Sequence, residues 1–510
     1  MFALGHQPLP DIDVSVPDGV QIPDRSGPPG STNPNHHQLL WNFSCGMFSR
    51  GLRVGPLSNS CQFLFHKPKL VRASRVTILI MPPQKRKTSS SSTSNGTLSH
   101  TNKRGKPDLT RPHPHAKDTE DFDIVLRDFY PPEMCNERCE AYNNGTLERP
   151  IEALQKAYED TVDERKEVRP NAAVVHWFKS DLRLHDNRGL QMAYQVAREN
   201  NIPLIALYIL SPEDLTAHLA SAPRVDLTLR TLGLLRRDLN ELDIPLYMET
   251  QNKRKEIPQR IVDLCQEWGA KHLFANMEYE VDELRRDAKL VRLCAENGIR
   301  FEAAHDTCVV TPGKLTSQQG KQYAVYSPWF RAWCAFLKEN PEYLEVADEP
   351  GSNPGNARKH FKELFDCEVP AAPDNKRLSE AEKERFHQMY PEGEHEALRR
   401  LEAFLEEKGR DYDDLRNILA GRNTSVLSPY FASGALSART AVVQAQKANK
   451  GQLNRNQSGY MSWISEVAWR DFYKHVLVHW PFIWFVCPKI SLGPIARLTM
   501  LMQYEQVLQA

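Results

Sequence analysis

Apolar residues cluster into regular elements only after residue 171. Residues 172–178 form an apolar run of the length a strand buried on both faces requires. A similar run follows at Pro203–Leu210, and Ile244–Met248, His272–Ala275 and Arg300–Ala304 read as three further strands. Between them, apolar residues recur at helical spacing: first Leu190, Ala193 and Ala197, then Val225, Leu229, Leu232, Leu235, Leu239 and Leu242. Ile257–Trp268 and Val281–Asn297 continue the helical pattern. Strands alternating with helices predict an α/β domain over residues 172–305, a doubly wound, parallel, five-stranded sheet. No Gly-x-Gly-x-x-Gly follows the first strand, which excludes a typical dinucleotide-binding domain.

The pattern then changes. Residues 306–390 hold Pro341, Pro350, Pro354, Pro370 and Pro373, and are expected to form a linker without regular elements. Helical periodicity returns over residues 391–481, at Glu394–Lys408, Ser437–Lys447 and Met461–Val478, and predicts a second, all-α unit. Residues 1–115 are rich in Pro, Ser, Gly and Asn and read as a disordered tail. Phe482–Cys487, the longest apolar candidate for a membrane span, is far below the ~18 residues a bilayer demands.

Charge sharpens this division. The chain of 510 residues is formally neutral, yet no acidic residue lies between Asp24 and Asp108, a stretch with thirteen Lys or Arg. The remainder holds 52 basic and 65 acidic residues, so any nucleic acid would be bound through a local patch rather than a global field. Within the tail, Lys85-Arg86-Lys87 and Lys103-Arg104 resemble a nuclear-import signal, and Met81 reads as a natural start. Asp11, Asp13, Asp18 and Asp24 argue against a transit peptide. The expected location is the nucleus, with the mitochondrion as the alternative. Ten scattered cysteines, with only Cys135 and Cys139 close, read as free thiols of a reducing compartment, and no metal site is expected.

Three segments carry candidate chemistry. In the first, Val174–Asn187, a strand runs into a polar turn at its carboxyl end, where open α/β sheets bind ligands; Asp186 and Asn187 there can equally well cap the next helix. In the second, Asn423–Tyr430, Ser428 is expected as an N-cap and Pro429 as the first helical residue. Thr424 and Ser425 set two hydroxyls before that helix, an arrangement suited to a diphosphate or to plain capping. In the third, Gly459–Tyr473, helical spacing puts Trp463, Glu466, Arg470 and Tyr473 on or near one face, with Trp469 adjoining. Such a face can stack planar groups, although Glu466 and Arg470, four residues apart, can also simply pair.

Taken together and in this order, the three segments resemble the photolyase/cryptochrome family, from about Ala172 to Pro481. The resemblance implies an antenna domain followed by a helical FAD-binding domain, and light-driven electron transfer from reduced FAD to cyclobutane pyrimidine dimers in UV-damaged DNA. Tyr412, Thr424, Ser425, Leu427, Ser428, Trp463 and Arg470 match flavin-contacting positions, and Val426 stands where an Arg is usual. Glu466 matches the carboxyl group that hydrogen-bonds the dimer, and Trp469 the ring that stacks on it; both are the implied catalytic residues. Glu rather than Gln at 466 favours the pyrimidine-dimer branch. His218, Asp282 and Glu283 match positions that hold a methenyltetrahydrofolate antenna, with Asp282 replacing an Asn and a deazaflavin as the alternative. The implied protein is a monomer, and the competing readings are a cryptochrome-type photoreceptor and an inactive product. The resemblance stops at Pro481, and residues 482–510 match nothing expected. The chain is therefore expected to be a truncated member that binds FAD poorly.

Overall fold

The computed structural model describes residues 136–418, 423–454 and 458–481. The expected disordered tail with its import signals and the unmatched segment 482–510 lie outside these residues. Five strands, β1 (Ala173–Phe178), β2 (Leu204–Leu210), β3 (Leu246–Thr250), β4 (Ala270–Asn276) and β5 (Arg300–Ala304), pair in parallel in the order β3-β2-β1-β4-β5. The chain thus builds outward from β1 in one direction and returns to its other side, which is the doubly wound topology expected. β3 begins two residues later than the hydrophobic run: Pro245 has no amide to donate to a ladder, and its carbonyl alone bonds Ala206.

Alternation along β1 explains the two faces. Ala173, Val175 and Trp177 join one core with Ile261, Cys265, Leu284, Ala288 and Val291, whereas Val174 and Phe178 join the other with Leu190, Ala193, Leu232, Leu235 and Leu239. An amino-terminal arm, for which the sequence pattern gave no expectation, adds α1 (Pro150–Asp160), whose Leu154 and Ala157 enter the first core. Side chains rather than strands finish the sheet edges. The Tyr158 hydroxyl accepts the Ala303 amide of β5 at 2.9 Å, and Cys367 Sγ lies 3.1 Å from the Met248 amide of β3.

The α/β domain is followed by a helical unit. Its core is built from α2 (Tyr326–Glu339), α3 (Glu394–Glu407), the short α4 (Ser428–Ser433), α5 (Ala438–Ala448) and the long α6 (Gly459–His479). Here one expectation fails. Within the supposed linker 306–390, α2 is a full helix that buries Trp329 and Trp333, and Glu380–Met389 is helical as well. The five prolines used to argue against structure all follow α2, and the one inside it, Pro328, sits in the first turn, where no intrahelical amide bond is lost.

The first motif joins the two parts. Asn187 caps the helix after β1, its side chain accepting the Leu190 amide at 3.0 Å. Asp186, with φ 57°, turns away and reaches into the helical unit. Its carboxylate accepts Arg439 Nε at 2.8 Å, Thr440 Oγ1 at 2.9 Å, the Ala347 amide at 2.9 Å and the Ser437 hydroxyl. Arg439 also donates to Asp306 at 2.9 Å, and Asp306 pairs with Arg183. These four charges are almost wholly buried, two of each sign, with most of their polar atoms bonded. Gly434, at φ 73°, lets α4 approach so closely that a Cβ there would lie 2.0 Å from the Ser180 carbonyl oxygen. Glu394 at the start of α3 accepts the Leu184 and His185 amides, each at 2.8 Å.

Candidate functional site

The third motif is α6, and its first turn is held by close backbone approach. Ser458 caps it, accepting the Met461 amide at 3.3 Å, and a Cβ on Gly459 would lie 2.3 Å from the Gly409 carbonyl oxygen. Tyr412 and Trp463 both pack against Phe404, at ring separations of 5.6 Å and 5.4 Å. The Trp463 indole then donates to Ser425 Oγ at 3.3 Å. The structure therefore gathers Tyr412, Ser425 and Trp463, from three separate stretches of sequence, at one end of α6.

The neighbouring loop departs from expectation. Leu427, buried, is the N-cap of α4, and Ser428 is already its first residue with Pro429 second, so Ser428 does not cap. The expectation read the serine–proline pair one position early, because Pro fits the second helical position as well as the first. Thr424 is exposed and Ser425 and Ser428 are half-buried. Val426 has φ 54°, a left-handed conformation that β-branched residues resist and that strained functional loops retain.

Farther along α6, the expected alternative of a Glu466–Arg470 pair is not formed. Glu466 instead meets Arg416 at 2.6 Å, and the Arg470 guanidinium donates to the Thr307 carbonyl. Burial pushes the Glu466 carboxyl up, and Arg416 partly opposes that shift. Arg470 Nε is buried without a hydrogen-bond partner among the described residues. Next to it, Asp471 accepts the Val309 amide at 2.9 Å and the Trp333 indole at 3.2 Å, and burial pushes its carboxyl up to about 6. Trp469 lies flat against Tyr326, with ring centroids 3.5 Å apart. Arg416 and Tyr326 were not found from sequence: one sits in an unpatterned polar stretch, the other in the supposed linker.

A second cluster lies on the α/β domain. His218 Nε2 is 2.8 Å from Glu283, and Arg254 reaches Asp214 at 2.7 Å, Asp282 at 3.1 Å and Glu283 at 3.8 Å. His218, Asp282 and Glu283 thus lie together around Arg254, and Asp214 and Arg254 carried no sequence signal. Glu283 is buried rather than an exposed helix start. Burial alone would raise its carboxyl, but His218, Arg286 and Arg254 hold it well below the usual range. Burial and the adjacent Glu283 push Asp282 the other way, to about 6.

No helix among the described residues is long and apolar enough to cross a membrane. Residues 174–347 match the family model described as DNA photolyase. The chain is 56% identical over 380 residues to the deoxyribodipyrimidine photo-lyase of Neurospora crassa, covering 74% of this chain and 62% of that protein. It is 28% identical to the mitochondrial deoxyribodipyrimidine photo-lyase of Saccharomyces cerevisiae, over 72% of this chain and 67% of that one. For the Vibrio cholerae deoxyribodipyrimidine photo-lyase the identity is 30%, over 59% and 60%. The chain spans about three fifths to two thirds of the length of these relatives. The chain therefore carries a DNA photolyase family domain over residues 174–347 and is similar to deoxyribodipyrimidine photo-lyases over about three quarters of its own length.

Proposed function

We infer that this chain serves light-driven repair of cyclobutane pyrimidine dimers in DNA, the activity for which its Neurospora relative is named. The observation that carries this reading is the single face of α6 that presents Glu466, held by Arg416, next to Trp469, held by Tyr326. A dimer turned out of the duplex, at a cost of roughly a few kcal/mol, needs a flat ring to stack on and a hydrogen-bonding group for its polar edge. Trp469 offers the ring. The Glu466 carboxyl, fixed beside it by Arg416, offers the hydrogen-bonding group for the polar edge.

The residues near the amino-terminal end of α6 fit a flavin nucleotide. Thr424, Ser425 and Ser428 supply hydroxyls there, the buried Tyr412, Trp463 and Leu427 form the apolar wall behind them, and farther along α6 Arg470 supplies a buried Nε–H without a partner among the described residues. FAD in its reduced state would supply the electron that opens the dimer ring. On the α/β domain, His218, Asp282 and Glu283 fit a folate antenna, and Arg254 fixes the acids that would meet it. The partner is UV-damaged DNA, the chain acts as a monomer, and the compartment is the nucleus or the mitochondrion.

The test is repair itself. The full chain, loaded with reduced FAD, is mixed with an oligonucleotide bearing one thymine dimer and lit with blue light. Dimers should disappear only in light, and more slowly with Glu466→Gln. Flavin-loaded protein that leaves the dimer intact in light would sink the reading and favour a photoreceptor.

A further inference from the structure

One aromatic residue from outside α6 governs the ring that the proposed reading sets against the lesion. The Tyr326 ring, in the first turn of α2, stacks on Trp469 with planes 10° apart. Its hydroxyl donates to the Ser465 carbonyl oxygen at 2.7 Å and lies 2.8 Å from the Ser465 hydroxyl. Ser465 and Trp469 are four residues apart on α6 and therefore stand one above the other on the same face. Tyr326 spans that turn and covers one face of the indole. Its own ring packs on Phe330 at 5.6 Å, edge-on to Phe472 at 5.6 Å, and near Trp329 at 5.9 Å. A side chain bonded at its hydroxyl and wedged among three rings is not free to swing aside when a base arrives. The face of Trp469 turned toward Tyr326 is closed to a ligand.

We propose that Tyr326 is a positioning residue for substrate recognition: it backs Trp469 so that the indole meets an extruded pyrimidine dimer through one pre-set face. This rests on the lesion-binding reading of Trp469. The gain comes from ordering the indole before binding, so that no rotamer freedom is lost when the dimer stacks.

The experiment compares the full chain with its Tyr326→Phe, Tyr326→Leu, Trp469→Ala and combined Tyr326→Leu/Trp469→Ala variants. Fluorescence anisotropy measures binding of a single-stranded oligothymidylate with one thymine dimer, and of its undamaged counterpart. Near-UV circular dichroism reads the stacked pair without DNA. Tyr326→Leu should weaken binding to the dimer by about three- to tenfold, the range a stacked aromatic pair accounts for, and leave the undamaged strand unchanged. It should add nothing to Trp469→Ala, and Tyr326→Phe, which keeps the ring, should retain most of the affinity. Wild-type affinity in Tyr326→Leu, or an effect that adds in full to that of Trp469→Ala, overturns the proposal. A wild-type chain that does not distinguish the two strands defeats the lesion-binding reading instead. The dichroism then still decides whether the pair is fixed: loss of the near-UV signal in Tyr326→Leu supports it, and an unchanged spectrum removes it.

Discussion

Arg416 stands 2.6 Å from Glu466 across fifty residues of sequence, so the acid on α6 is held by a cation that α6 does not contain. Burial raises the Glu466 carboxyl and Arg416 draws it back. Arg416→Leu should therefore raise it further. A folded-state pKa above the unfolded one contributes stability while the group is protonated, and that contribution is lost as pH rises through the folded value. The stability gap between Arg416→Leu and wild type should widen from acid to neutral pH. Denaturation midpoints across that range measure it, and a gap independent of pH would contradict it.

Arg439 is the cation shared by Asp186 and Asp306. Replacing it with Met removes the one guanidinium that bonds both buried carboxylates. A loss of about 3–5 kcal/mol is expected, as for other broken buried pairs. Urea denaturation checks this, and a cost under about 1 kcal/mol would mean that water reaches the network.

Glu394 makes a pH-dependent clasp on the first motif. Burial pushes its carboxyl from 4.5 to about 7, although the Leu184 and His185 amides lower it. Since the folded value lies above the unfolded one, its contribution is complete in acid and fades between about pH 4.5 and pH 7. Glu394→Gln should flatten wild-type stability over that window, as seen by thermal melts at successive pH values. Parallel curves for the two proteins would rule this out.

Glu283 should matter to antenna binding as well as to stability. Glu283→Gln keeps the side-chain shape but removes the charge that His218 and Arg254 stabilise. Methenyltetrahydrofolate titrated into the full chain, followed by its absorbance, should bind at least several-fold more weakly to the variant. Equal affinity would shift the antenna away from this cluster.

The fold was largely legible in the sequence because strands buried on both faces leave nearly continuous apolar runs, and β1 and β2 fall where their runs lie. What stayed hidden depended on distant partners. Proline density concealed α2, although its Trp329 and Trp333 are wholly buried. The Glu466–Arg470 spacing suggested a local pair, but docking of α6 offered each residue a tertiary partner, Arg416 and the Thr307 carbonyl. Residue types on α6 could be read, whereas the side chains that orient them could not. In the arm before β1, the last helix, Val162–Glu167, buries no residue and leaves no apolar stripe, whereas Ile151, Leu154, Ala157 and Tyr158 of α1 form a stripe that could have been read.

Asp186 and Arg439 are separated by 253 residues. During synthesis, Asp186 leaves the ribosome long before the guanidinium that neutralises it exists. Local βα units can assemble early, as nascent domains generally do, but the junction must wait for α5. Until then the carboxylate remains hydrated at an open surface. Closing the junction is thus a late, long-range step, and the nascent α/β domain is exposed to chaperones and proteases with that flank unfinished.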